Sequence, residues 1–96
     1  MQSFDVAHFR QQDVDLIVIS VSSSFGTLPN DEQNRLRGIL QQCASSAGLA
    51  GTVVPVWQSS GRLGFLAPQQ WHTFFGSLTV EDVARNFNRK LSCEWA

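Results

Sequence analysis

Tyrosine is absent from this 96-residue chain, methionine occurs once, and there are only two cysteines and three prolines. Two cysteines are too few for the disulfide framework that staples a small secreted domain. Cys43 and Cys93 are also far apart, not a CxxC pair, so the ligand spacing of a structural zinc site is missing. Free thiols in a reducing compartment are the expectation, with no metal and no cofactor. Charge of one sign is lacking too, since seven Lys and Arg against eight Asp and Glu leave a formal net charge of −1. Affinity for nucleic acid or an anionic membrane comes mainly from basic side chains that release counterions, so both partners are disfavoured. No apolar run approaches the roughly 18 residues that cross a bilayer, and Met1-Gln2-Ser3-Phe4-Asp5 lacks a basic segment followed by an apolar one. A cytoplasmic protein is expected.

What is present is ordinary globular composition, 43% hydrophobic and 16% charged, in a length that suits one core. Residues 1–96 are therefore read as a single α/β domain. Its centre is Val14 to Gly48. The run Leu16-Ile17-Val18-Ile19 has no polar alternation, as in a central strand buried on both faces. A Ser/Gly/Pro loop follows, then an amphipathic helix over Asp31 to Ala47. Asn30 is its expected N-cap, Gln33 completes a capping box, and Leu36, Ile39, Leu40, Cys43 and Ala47 form one stripe. Gly48 closes it in a left-handed cap.

Thr52 to Gln58 reads as a strand, with an edge or bulge at Pro55, which has no N–H for a ladder. Ser59-Ser60-Gly61-Arg62 turns it into a second strand, Leu63 to Ala67. Pro68 to Gly76 fits a short helix, and Thr79 with Asp82 fits a capping box for a second long helix over Val80 to Leu91. The segment Ser3 to Gln12 fits a strand or a short helix, and one or two helical turns are favoured. The resulting expectation is a three-stranded mixed sheet, a βαβ unit plus hairpin, covered by two long helices and one short helix. The last helix should lie on the same face as the first. A ferredoxin-like βαββαβ sandwich is the alternative if Leu91 to Trp95 forms a strand.

Two regions are candidate sites. Ser22, Ser23, Ser24, Gly26 and Thr27 lie after the first strand, where open α/β sheets bind ligands. However, no GxGxxG or GxxxxGK[ST] pattern is present, and Asp31 and Glu32 already occupy the positive end of the following helix. Trp71-His72-Thr73-Phe74-Phe75 is the densest aromatic cluster, and His72 is placed at the margin of its apolar face. Trp57, Trp71, Phe74, Phe75 and Trp95 exceed what three strands can cover, and Gly38 points away from the helix stripe as if a partner packed there. The expected function is a non-enzymatic protein-interaction or self-association module using Trp57, Trp71, His72, Phe74, Phe75, Trp95 and Gly38. The alternative is a small enzyme or ligand binder using the Ser22 to Thr27 loop with His72 brought near it.

Overall fold

Strand β2, Val14–Ser20, buries Leu16 to Ile19 on both faces, as its unbroken apolar run implies. The computed structural model that shows this describes residues 2–94. From β2 the chain crosses over through helix α1, Asn30–Ser46, and returns as β3, Thr52–Ser59, parallel to β2 with Leu16 opposite Thr52 and Ser20 opposite Val56. A tight turn at Ser60 and Gly61, with φ of 50° and 79°, leads into β4, Arg62–Phe65. The ladder to β4 begins at Val56, and the Pro55 carbonyl accepts from Leu66 N–H at 3.0 Å on that side. Proline's missing donor therefore falls where the β4 pairing stops, which is how a flanked strand tolerates it.

Two further strands correct the three-stranded expectation. Ser3 to Gln12 is not helical: β1, Gln2–Gln11, pairs antiparallel with β2 through a two-residue turn at Gln12 and Asp13, with φ of 49° and 63°. That turn lacks the Asn-Gly signature that would reveal it. The expected second long helix is also overturned. It stops as α3, Val80–Ala84, and the chain continues as β5, Phe87–Cys93, antiparallel to β1. The sheet has five strands in the order β4-β3-β2-β1-β5. The ferredoxin-like alternative fails as well, because β1 separates β2 from β5.

The helical stripe through Phe87 and Leu91 has a specific origin. Val6 faces Arg89 and Ala7 faces Phe87, so Asn88 is an extra residue that bulges out of the ladder. The bulge turns Phe87 to one face of the sheet and Leu91 and Cys93 to the other. Four-residue spacing then mimics a helix without one forming.

Both faces are covered, by different helices. Leu40 and Ala44 of α1 pack on Phe4, Val6, Ile17, Ile19 and Val53. On the opposite face Trp71, Phe75 and Val83 pack on Ala7, Leu16, Val18, Val54 and Val56. Trp71 ends a 3-10 turn at Gln69–Trp71 that runs into helix α2, His72–Gly76. The later helices thus cover the face opposite α1, not the same one. At the end of α1, Gly48 N–H donates to Ser45 O at 3.1 Å and Leu49 N–H to Ala44 O at 2.9 Å, with Gly48 at φ 81°. At its start Pro29 is the cap. Gln33, instead of closing a capping box, donates from Nε2 to the carbonyls of Phe25 at 3.1 Å and Leu28 at 3.2 Å.

The free-thiol expectation is also corrected. Cys43 on α1 and Cys93 at the end of β5 form a disulfide, with Cα atoms 5.8 Å apart, within the usual range for such bonds. The partnership is invisible while residues 92–96 are read as a tail; it becomes geometric once β5 lies under α1. No described helix is long and apolar enough to cross a membrane.

Replacing both cysteines by alanine is expected to cost about 2–4 kcal/mol, because the bond closes a long loop in the unfolded chain. Urea denaturation of the oxidised protein and of Cys43→Ala/Cys93→Ala measures this. Equal midpoints, or two thiols titrating in the denatured, unreduced protein, would contradict the assignment.

Candidate functional site

The parallel pair β2 and β3 ends side by side at Ser20 and Val56, and Val21 N–H donates to Val56 O at 2.8 Å just beyond. Side chains alternate along a strand, so Ser20, Val56 and Gln58 continue the face that Val18 and Val54 present to the later helices. Helix α3 stands over this end. Its capping box forms as the spacing implies, Thr79 N–H donating to Asp82 Oδ2 at 2.9 Å and Asp82 N–H to Thr79 Oγ1 at 3.1 Å. With only five residues, α3 seals the sheet at Val83 and leaves the strand ends open.

The result is a cleft of about 280 Å³. Ser20, Val56 and Leu63 form its floor, and Val80, Ala84 and Phe87 form one wall. Ser22, Ser23 and Gln58 bring two hydroxyls and an amide to it. None of its lining residues is ionisable. It can hold an apolar body and hydrogen-bond an uncharged group, but it has no acid, base or activated nucleophile for covalent chemistry.

The serine loop meets this cleft only in part. Ser22 and Ser23 line it. Ser24, Gly26 and Thr27 are engaged within a 3-10 turn, Ser23–Thr27: Ser24 N–H donates to Ser22 Oγ at 3.3 Å, and Thr27 Oγ1 donates to Ser24 O at 2.8 Å. The turn drives Phe25 into the interior, where its ring lies 5.1 Å from that of Trp57. The Trp57 indole covers both Gly26 and Gly64 so closely that a Cβ at either would collide with it. Ser20, on the floor, was not singled out from sequence, because its role depends on which face of β2 it occupies.

His72 does not join the loop. Its Nε2 donates to Ala67 O at 2.9 Å and its ring stands edge-on to Phe65 at 5.5 Å, away from the residues lining the cleft. Trp71 and Phe75 are buried, Phe74 is half-buried with its ring 6.0 Å from Phe9, and only His72 of the four is exposed. A sheet of five strands absorbs aromatics that a three-stranded sheet leaves over. Trp57 is half-buried, Gly38 faces open space, and Trp95 lies outside the described residues.

A second polar cluster forms across the β1–β2 hairpin. His8 Nε2 donates to Asp15 Oδ1 at 2.9 Å, and Arg10 Nη1 donates to the same oxygen at 3.2 Å. The hydrogen bond from His8, with the Arg10 charge, holds the Asp15 carboxyl below its ordinary 3.8. A hollow of about 210 Å³ beside it is bounded by Gly48, Leu49 and Arg89. Reading residues 2–11 as a strand would have placed His8, Arg10 and Asp15 on one face. Among the described residues lining this hollow there is no hydroxyl or thiol side chain. Among the described residues no three His, Cys, Asp or Glu side chains converge as a metal site. Comparison with family models, curated proteins and solved structures finds no match.

Gly64→Ala forces the Trp57 ring off β4 and is expected to destabilise the fold by about 1–3 kcal/mol, read by urea denaturation; an unchanged midpoint would mean that the ring is not held there. Asp15 has a folded pKa below its unfolded value, so its contribution is present above the unfolded value and is lost as pH falls through the folded one. The stability difference between the parent and Asp15→Asn should therefore shrink in acid. A difference independent of pH would refute that linkage.

Proposed function

We propose that the chain is a non-enzymatic binding domain for a small, largely apolar molecule whose enclosed portion is uncharged, held at the carboxyl ends of β2 and β3. The observation that carries this reading is the cleft under α3, with hydroxyl and amide groups around an apolar floor and no ionisable lining residue. Its position at the end of a parallel strand pair is where sheets of this kind take ligands. The reading keeps the serine loop and sets aside His72.

A second reading, contact with another protein or a second copy, is supported by β5, whose seven residues have β1 as their one strand neighbour among the described residues. Its outer backbone groups are open to strand addition. The aromatic segment adds less, since Trp71 and Phe75 are interior. Two copies pairing antiparallel through β5 about Lys90 would set like charges opposite each other, which favours a different partner over self-association. Of the two grounds for cytoplasmic residence, free thiols and the N-terminal composition, the first is lost, because a bonded Cys43–Cys93 pair favours a compartment that keeps disulfides oxidised.

Amide NMR titration with 1-hexanol and hexanamide tests the ligand-binding reading. Shifts are expected at Ser20 to Ser23 and Val80 to Phe87, with affinities of about millimolar for probes this small. Ala84→Trp should fill the cleft and abolish them. Shifts centred on another region, or unaffected by that substitution, would refute the site.

A further inference from the structure

A second hollow, of about 430 Å³, adjoins the first and shares Gln58 and Val80 with it. It lies between the β3–β4 turn and the start of α3, where Gly61, Thr79 and Glu81 complete its lining. The two hollows share this rim and are the inner and outer parts of one candidate groove. Its inner part is neutral, and across both parts Glu81 is the sole ionisable lining residue.

Glu81 lies in the first turn of α3, at its positive end, but has no side-chain cation beside it among the described residues. The spacing of Glu81 and Arg85 fits an i,i+4 ion pair, but Arg85 Nη2 instead donates to Asp82 Oδ1 at 2.9 Å. Towards Glu81, Arg85 reaches only the backbone carbonyl, at 3.4 Å. The Glu81 carboxylate makes no ion pair among the described residues, and Arg62, although it follows Gly61 in the chain, does not line the groove. A carboxylate alone at the outer end of a neutral, partly apolar groove attracts a cation and repels an anion.

We propose that the ligand is a small amine: its apolar body lies under α3 and its ammonium group reaches Glu81. The proposal rests on the ligand-binding reading above and adds the class of molecule. Gln58, shared by the two hollows, can accept from the ammonium or from a hydroxyl beside it.

Amide NMR titrations with hexylammonium, 1-hexanol and hexanoate at neutral pH, on the full chain with its disulfide intact, decide the matter. Hexylammonium should bind about two- to five-fold more tightly than 1-hexanol, the size of an exposed ion pair, and hexanoate more weakly than either. High salt should narrow the gap. Glu81→Gln should erase the advantage of hexylammonium over 1-hexanol, while Glu81→Lys should shift the preference to hexanoate. Equal binding of hexylammonium and 1-hexanol by the parent, or a preference that survives Glu81→Gln, would overturn the amine assignment while leaving the cleft as a site. If none of the three probes shifts Ser20 to Ser23 or Val80 to Phe87, the ligand-binding reading itself fails and the amine assignment falls with it.

Discussion

Leu16, Ile17, Val18 and Ile19 of β2 are each no more than 2% exposed, so neither face of this strand can meet water. Covering such a strand on both sides is the constraint that arranges everything else. Each buried aliphatic side chain contributes about 1.5–3 kcal/mol relative to exposure, a gain realised only if both covering layers are present. The crossover through α1 supplies the cover over Ile17 and Ile19. Leu16 and Val18 need a second cover, and the chain provides it with Trp71 at the end of the 3-10 turn and with Phe75 and Val83, carried on two helices of five residues each. The disulfide at Cys43 and Cys93 then ties the first cover to the strand farthest from the crossover.

The asymmetry of the two covers creates the groove. Helix α1, 17 residues long, spans its face, while α2 and α3 reach theirs at separate points. Where α3 rests on Val83 the sheet is sealed; beyond it the strand ends at Ser20 and Val56 lie under Val80 and Ala84 with space between. On the opposite face, past the start of α1, the Trp57 indole does what a helix does elsewhere, lying over Gly64 and Gly26. A small residue under a large ring fills the layer without a further element.

Legibility from sequence followed the uniqueness of each period. The β2 run, the α1 stripe from Leu36 to Cys43 with its Gly48 cap, the β3–β4 hairpin and the Thr79–Asp82 box were readable because one local pattern fits each, although Ala44 and not the exposed Ala47 completes the buried side of α1. Strand β1 was not, since Phe4, Val6, Ala7 and Phe9 fit two periods and the turn opens on Gln12, a residue type uncommon at positive φ. Strand β5 was misread because the bulge at Asn88 reverses the faces of Phe87 and Leu91. Missing those two strands hid the disulfide and the His8–Asp15 contact, both of which join residues on neighbouring elements. It also left a surplus of aromatics that the wider sheet absorbs. At the candidate site, Ser22 and Ser23 were legible from their place after β2. Ser20, Leu63 and Glu81 become neighbours only through the sheet order and the landing point of α3.

A groove under α3 is thus the consequence of a two-sided strand with one long cover and one interrupted cover. The most direct measurement is a set of intermolecular NOEs from a bound hexyl chain to the methyl groups of the protein. Contacts to Val56, Leu63 and Val80 are expected, because these line the space between the strand ends and α3. Contacts confined to the α1 face, at Ile39 or Leu49, or the absence of any contact at saturating probe, would contradict the site.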